Sequence, residues 1–260
     1  MARNTKRKGR RRGRRKKRGF ASWSLGKKIG AVLGGTFLAV AVIGMVILAS
    51  KMNKLKSVKL NTDKLNISDE VQHEEGYTNV ALFGLDSREN DLGKGNRSDT
   101  IMIASLNNDT KEVKLVSIYR DTLLELDDGS YNKANAAYAF GGPEGAVSLI
   151  NRNLDMNIEK YVTVNFNALV DVIDAVGGLD LELTHDEVVH MNNYCVETSK
   201  VTGKSYEKIE PEVEGTYHLN GVQAVSYSRI RYTEGGDFKR AERQRLVLQK
   251  IADKEQNRSV

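Results

Sequence analysis

Three apolar runs decide the fold class: TNVALFGL (78–85), DTIMIASL (99–106) and EVKLVSIY (112–119). Each has the length and the β-branched content of a buried strand. The polar segment NNDTK (107–111) joins the second run to the third, and its composition is typical of a hairpin turn. The sequence therefore predicts a sheet that begins with three consecutive strands.

Helical patterns alternate with strands in the rest of the chain. YVTVNF (161–166) and LDLEL (179–183) predict two more strands. Helices are predicted at ANAAYAF (134–140), PEGAVSLINRNL (143–154), NALVDVIDAV (167–176), LNGVQAVSYSRI (219–230) and FKRAERQRLVLQKIADK (238–254). This alternation predicts an α/β fold in which helices cover both faces of the sheet.

The charge of the chain is divided between two different parts. Residues 1–28 hold 14 Lys and Arg and no Asp or Glu, whereas the remainder holds 26 Lys and Arg against 34 Asp and Glu, a net charge of −8. The basic pI of the whole chain therefore belongs to the tail. Because the chain after residue 28 is acidic, no nucleic acid partner is expected.

An uncharged run of 22 residues, 29–50, follows the basic tail. As a helix it would span roughly 33 Å, about one bilayer core, so we expect one transmembrane helix. A cleaved signal peptide and a buried soluble helix are the alternatives. The preceding positive charge predicts a cytoplasmic tail at 1–28, where membrane lipids would be partners. Residues 51–76 are expected to form a stalk, and 77–260 an extracellular domain at the cell membrane.

The supply of metal-binding and redox residues is limited. Cys195 is the only cysteine, which excludes an intramolecular disulfide and a multi-cysteine zinc site. The four histidines show no HExxH spacing, so a zinc protease of that class is not expected. Cys195 lies in a polar stretch with the character of an insertion, where a lone thiol or an intermolecular or ligand role is possible.

Charged residues mark the ends of the first three strands. Asp86 follows the first strand, Asp99 opens the second, and Arg120-Asp121 follows the third. Charges at strand ends lie at the rim of a sheet, where α/β proteins build their sites. Turn capping by Asp86 and Asp99 is the alternative. The loop SRENDLGKGNRS (87–98) lacks the Walker A frame.

Arginines are dense near the end of the chain. Guanidinium groups match phosphate oxygens bidentately, so a cluster of arginines suggests an anionic ligand. In an extended segment Arg229 and Arg231 would share one face, and Arg240 and Gln244 share a helix face. A solvated helix with Glu–Arg pairs, such as Glu242 with Arg245, is the alternative for the remaining two arginines, Arg243 and Arg245.

A set of segments in one order resembles the LytR–CpsA–Psr family of cell-wall glycopolymer ligases across about 175 residues. They are FGLDSR (83–88), RSDTIMIASL (97–106), VSIYRDT (116–122), YNKANAAYAFGG (131–142), VNFNALVDVIDAVGGLDLEL (164–183), HLNGVQAVSYSRIRY (218–232) and DFKRAERQRLVLQKI (237–251). The resemblance implies an α/β/α sandwich with a central mixed sheet and an apolar tunnel. Two departures are Tyr119, where relatives often have Pro, and an early C-terminus, which suggests a short version with an incomplete tunnel wall.

The same resemblance implies a function and a site. The family moves an anionic glycopolymer, of the teichoic acid or capsular type, from undecaprenyl pyrophosphate to peptidoglycan. Asp86 and Asp99 match carboxylates near Mg²⁺ or Mn²⁺, and Asp99 and Arg120 would be catalytic. The phosphate-contacting set is Arg120, Arg229, Arg231, Arg240 and Gln244. Either aspartate, or solvent, could accept the proton of the attacking hydroxyl.

Three other functions compete with transfer. Hydrolysis of the lipid-linked pyrophosphate would use the same site with water as acceptor. A membrane-bound transcriptional regulator would need the basic tail as its DNA contact, although the tail has no helix-turn-helix pattern. A non-catalytic module would bind polyprenyl phosphates without turnover.

Overall fold

The computed structural model describes residues 58–67, 76–87 and 92–258, and its larger compact unit begins at Leu60. The strands of the described part are β1 (Tyr77–Leu85), β2 (Ser98–Asn107), β3 (Val113–Ile118), β4 (Leu123–Glu125), β5 (Tyr131–Lys133), β6 (Lys160–Val164), β7 (Leu179–Leu183) and β8 (Gly215–Leu219). Its α-helices are α1 (Ala134–Leu154), α2 (Phe166–Ala175), α3 (His185–Thr202), α4 (Gly221–Arg229) and α5 (Gly236–Arg258).

A four-stranded sheet with the order β3-β2-β1-β6 forms the centre of the domain. β1 and β2 are antiparallel, as are β2 and β3, whereas β6 runs parallel to β1. The mixed α/β fold with a central mixed sheet is therefore confirmed. LDLEL forms a strand as expected, but this strand, β7, pairs with β8 in a separate two-stranded sheet.

One face of the central sheet packs against α1. Ala81, Phe83 and Leu85 alternate along β1, and all three are buried in one core with residues of α1. The Phe83 ring meets the Tyr138 ring edge to face, with 5.3 Å between their centroids. The helix is interrupted at Gly142, which adopts a φ of 66°, and Pro143 begins its second part as expected.

The opposite face of the sheet lies towards α2 and α5. Leu82 alternates with the α1-facing residues of β1, and its partner across the parallel pair is Val162. Both line a cavity together with Leu169 of α2 and Val247 of α5. Helices thus lie on both sides of the sheet, and a cavity separates the sheet from α2 and α5.

The predicted basic tail (1–28) and transmembrane helix (29–50) lie outside the described residues. None of the helices in the described part is both long and apolar enough to cross a membrane. Within the predicted stalk, Leu65 is fully buried in the α1 core, and its carbonyl accepts a hydrogen bond from Asn151 Nδ2 at 2.9 Å. Part of the predicted stalk is therefore packed on the domain.

The polar stretch around Cys195 forms helix α3. Thr184 and Glu187 make a capping box at its start, and Gly203 ends it with a φ of 68°. A second hydrophobic core lies between α2, α3, α4 and β7, and Cys195 is fully buried in it. Cys195 is a free thiol, as the first of the two alternatives expected, but the stretch around it is a regular packed helix and not an insertion. The sequence hid this because the apolar residues of the helix are separated by polar ones.

Candidate functional site

The strand register brings three charged residues to one edge of the central sheet. Gly84 of β1 pairs with Thr100 of β2, and Ile101 pairs with Ile118 of β3. Because β1 and β3 end where β2 begins, Asp86, Asp99 and Arg120 leave the sheet at the same edge. All three line one cavity.

This cavity of about 330 Å³ extends from the charged edge along the sheet. Leu82 lies three residues before the end of β1, and Val162 is the middle residue of β6. Both line the cavity, with helix residues on the other side. The apolar lining residues are Leu82, Phe83, Gly84, Leu85, Val162, Val164, Phe166, Leu169, Val247 and Leu248. The site therefore combines an apolar chamber with a charged edge.

The remaining predicted site residues line the same cavity from the helical side. Arg229 ends α4 and Arg231 follows Ile230, whose backbone is extended (φ −58°, ψ 126°). Arg240 and Gln244 lie four residues apart on α5. The four lining arginines and two lining aspartates leave a formal surplus of two positive charges, which favours an anion.

Asp99 joins arginines from two distant parts of the chain. Its Oδ1 lies 2.8 Å from Arg120 Nη1, and its Oδ2 lies 3.5 Å from Arg231 Nη2. Burial works to lower the pKa of Arg120, but the charge and hydrogen bond of Asp99, together with the charges of Asp121 and Asp237, raise that pKa above its ordinary value. Asp99 thus holds two cations at the cavity edge.

Arg229 is held by α3 and by two aromatic rings. Its Nη1 donates to Thr198 Oγ1 at 2.9 Å, and its Nη2 donates to Glu197 Oε2 at 2.8 Å. The guanidinium carbon lies 4.4 Å from the centroid of the Phe166 ring and 5.3 Å from that of Tyr194. These contacts hold the guanidinium against α3 and the two rings.

Arg240 has unused hydrogen-bonding capacity. Its side chain is 7% exposed, and neither Nε nor Nη1 donates a hydrogen bond to any described residue. Nη1 lies 3.1 Å from Asp237 Oδ1, an ion-pair distance without hydrogen-bond alignment. Burial, with help from the charge of Arg231, lowers the pKa of Arg240 from its ordinary value. A buried cation with free donors is costly unless a ligand satisfies it.

The interpretation of Arg243 as a solvated surface residue was wrong. Arg243 is 3% exposed and forms an ion pair with Glu187. Arg245 donates to Ser117 Oγ at 2.8 Å, and Glu242 pairs with Lys239 instead of Arg245. The error arises because Glu187 is 56 residues away in sequence, where no helix spacing could indicate it.

The donor set at the charged edge fits a hard cation such as Mg²⁺. Asp86 is exposed and makes no ion pair with another described residue, and Asp99 lines the same cavity. Among the described residues, no group of three or more His, Cys, Asp or Glu could hold a metal. Two carboxylates nevertheless suit Mg²⁺ where phosphates supply further oxygen ligands.

Sequence reasoning missed the contribution of α3 and the cavity-lining tyrosines. Tyr194 of α3 and Tyr232 both line the cavity, and Tyr232 is 76% exposed. The capping box of Thr184 and Glu187 was the available signal for this helix. Nothing in the sequence connects it to Arg229, because the contacts join elements 31 and 32 residues apart.

Comparison with known families decides the relationship. The model of the LytR_cpsA_psr family matches residues 42–260. The chain belongs to this family. A polyisoprenyl-teichoic acid–peptidoglycan teichoic acid transferase, TagU of Bacillus cereus (strain AH820), is 34% identical to it over 242 residues, covering 89% of this chain and 70% of that protein.

Solved structures of LytR_cpsA_psr relatives share the fold. TagT bound to LI-WTA is 27% identical, with a TM-score of 0.60 over 77% of this chain and 74% of the other. The family protein YwtF (TagT) with bound octaprenyl pyrophosphate lipid is 26% identical, with a TM-score of 0.58 and the same coverage of both chains. The predicted family is therefore confirmed by sequence and by fold.

Proposed function

We propose that this chain is a glycopolymer–peptidoglycan phosphotransferase, which moves an anionic polymer from a polyprenyl pyrophosphate carrier to peptidoglycan. The relatives named as teichoic acid transferases and the relative with bound octaprenyl pyrophosphate support this function. The observation that carries the assignment in this chain is Arg240, a buried guanidinium with unsatisfied donors on a cavity that also has an apolar chamber. An apolar chain with a diphosphate headgroup satisfies both features.

The binding mode follows from the two parts of the cavity. The polyprenyl chain occupies the apolar part between Leu82 and Leu169, and its burial supplies affinity that does not depend on charge. The pyrophosphate lies at the charged edge, where Arg120, Arg231 and Arg240 present N–H donors. Arg229 and Gln244 complete the phosphate-contacting set. The saccharide portion extends from the charged edge towards solvent.

The proposed reaction is an in-line displacement at the phosphorus that carries the polymer. The hydroxyl oxygen of the acceptor forms a bond to this phosphorus, the bond to the bridging oxygen breaks, and polyprenyl phosphate leaves. Arg120 and its neighbours stabilise the developing negative charge. Asp99 orients Arg120 and Arg231 through its two oxygens. The hydroxyl proton passes to Asp86, which forms no ion pair with another described residue, or to solvent.

We propose that Asp86 and Asp99 also hold Mg²⁺, or Mn²⁺ in its place. When bound, this cation would offset the charge of the pyrophosphate. Localisation follows the same proposal: a tail at 1–28 inside, one membrane span at 29–50 and the catalytic domain outside, where peptidoglycan is available.

Binding of a short lipid tests the site. We expect Arg240→Ala to bind geranylgeranyl pyrophosphate about 10- to 100-fold more weakly, because a hydrogen bond to a charged group contributes roughly 1.5–3 kcal/mol. Arg245→Ala on the same helix is the control, since Arg245 does not line the cavity. Equal affinities of both variants for this lipid would contradict the assignment.

Product analysis tests the reaction. When the protein is incubated with a lipid-linked polymer and peptidoglycan, we expect polymer covalently attached to peptidoglycan and release of polyprenyl phosphate. Free polymer phosphate without attachment would indicate hydrolysis instead. Retention of lipid without turnover would indicate a binding module.

A further inference from the structure

The segment between α4 and α5 carries part of the charged edge but has no regular secondary structure. It runs from Ile230 to Gly235, begins directly after Arg229 and includes Arg231. The position of Arg231 therefore depends on the conformation of a short connecting loop. Other contacts must fix this loop if the guanidinium groups are to be held ready for an anion.

Arg243 contacts this loop at two positions from within the core. Its Nη1 donates to the Ile230 carbonyl at 3.2 Å, and its Nη2 donates to Thr233 Oγ1 at 2.7 Å. Its Nε donates to Glu187 Oε1 at 2.8 Å. The planar guanidinium of Arg243 thus fixes the separation between Ile230 and Thr233, the loop residues on either side of Arg231.

Glu187 anchors this arrangement to α3. It is 7% exposed, and its second oxygen, Oε2, accepts from the Thr184 backbone N–H at 3.1 Å in the capping box. The same helix holds Arg229 through Glu197 and Thr198. α3 therefore fixes Arg229 directly and the Arg231 loop through Arg243.

We infer that Arg243 is a positioning residue for the pyrophosphate site, acting through the backbone of Ile230 and the side chain of Thr233. Arg243 does not itself line the cavity. The inference rests on the proposed function, because it assumes that Arg231 contacts the pyrophosphate. It gives the buried Glu187–Arg243 pair a role in ligand recognition beyond packing.

Thr233 offers a test that leaves the buried ion pair intact. Thr233→Val keeps the shape of the side chain but removes the acceptor for Arg243 Nη2, so we expect about 3- to 10-fold weaker binding of geranylgeranyl pyrophosphate. Thr233→Ser retains the hydroxyl and should restore affinity. Binding of the neutral alcohol geranylgeraniol should be unchanged in both, because the apolar chamber is untouched.

Arg243→Lys tests the clamp itself. We expect at least about 10-fold weaker pyrophosphate binding, because lysine keeps the charge but cannot reach three acceptors from one plane. The matched control is Arg152→Lys, which alters the ion pair of Arg152 with Glu125 (3.0 Å), a pair that does not line the cavity. If Arg243→Lys fails to fold, the Thr233 pair decides the question.

Arg231→Ala distinguishes a failure of the positioning role from a failure of the proposed pyrophosphate site. If Arg231→Ala binds pyrophosphate weakly while Thr233→Val and Arg243→Lys bind normally, the positioning role is wrong and the proposed site stands. If Arg231→Ala also binds normally, both the positioning role and the proposed place of Arg231 in the site are wrong. Selective loss of pyrophosphate binding in all three supports the inference.

Discussion

Arg120 Nη1 lies 2.8 Å from Asp99 Oδ1, across the sheet edge where β2 begins and β3 has just ended. The same carboxylate reaches Arg231 through its other oxygen at 3.5 Å. Asp99 therefore offsets the repulsion between two arginines that an anionic ligand would otherwise have to bring together. The edge is organised for an anion before any ligand arrives.

Removal of the Arg120 side chain should weaken substrate binding and slow transfer. We expect Arg120→Ala to bind geranylgeranyl pyrophosphate about 10- to 100-fold more weakly. Arg120→Lys should recover only part of the loss, because lysine keeps the charge but not the planar fork. Calorimetric titration of the three proteins measures this, and full recovery by lysine would contradict a role for the guanidinium geometry.

Mg²⁺ should stabilise the wild-type protein through the two edge aspartates. In the presence of inorganic pyrophosphate, we expect added Mg²⁺ to raise the Tm of the wild type but not of Asp86→Ala or Asp99→Ala, since binding to the folded state raises stability. Both variants should fold and lose transfer activity. An equal Mg²⁺-dependent shift in all three proteins would remove the proposed metal site.

Gly221 should be essential for the contact between α2 and α4. A Cβ at this position would lie 2.4 Å from the carbonyl oxygen of Val170, so Gly221→Ala must force the helices apart. We expect destabilisation of about 1–3 kcal/mol. The matched control is Gly141→Ala, where a Cβ would meet no atom within 4 Å. Chemical denaturation should show the loss in Gly221→Ala only.

Cys195 should be unreactive in the native protein. Burial raises the pKa of its thiol from 9.0 to about 11, against a smaller lowering by Ser226. At pH 8 the thiolate fraction is then about 100-fold smaller than for an ordinary thiol. Iodoacetamide should label the protein only after unfolding, and no disulfide-linked dimer should form. Rapid labelling of the native protein would show that the thiol is accessible.

The same thiol contributes to pH dependence with a definite sign. Its pKa is higher in the folded than in the unfolded chain, so its contribution to stability is present below pH 9 and declines as the pH rises towards 11. Labelling under weakly denaturing conditions should therefore accelerate over this range. An acceleration complete below pH 9 would contradict the raised pKa.

The sequence predicted the central strands and the charged edge for one physical reason. β1 and β2 are apolar along their buried parts, so Asp86 and Asp99 lie at strand ends. β3 is a largely exposed strand that contains Lys114, and Arg120 follows its apolar run. Their convergence then follows from the antiparallel register of β1, β2 and β3. The family resemblance added the roles of these residues, which spacing alone does not supply.

The parts that sequence reasoning missed depend on contacts between distant elements. α3 is polar along most of its length, so its buried face around Cys195 has no strong periodic signal. The burial of Arg243 requires Glu187, which lies 56 residues away in the sequence. In a sequence, each charged residue predicts an exposed position, and only the tertiary structure shows that two opposite charges are buried as a pair.

The most direct test is a crystal structure of the wild-type protein with bound geranylgeranyl pyrophosphate. We expect the isoprenoid chain between Leu82 and Leu169, with diphosphate oxygens within hydrogen-bonding distance of Arg120, Arg231 and Arg240. The Nε and Nη1 donors of Arg240, which form no hydrogen bond with a described residue, should then be satisfied. A diphosphate bound away from this edge, with Arg240 still lacking an acceptor, would contradict the central claim.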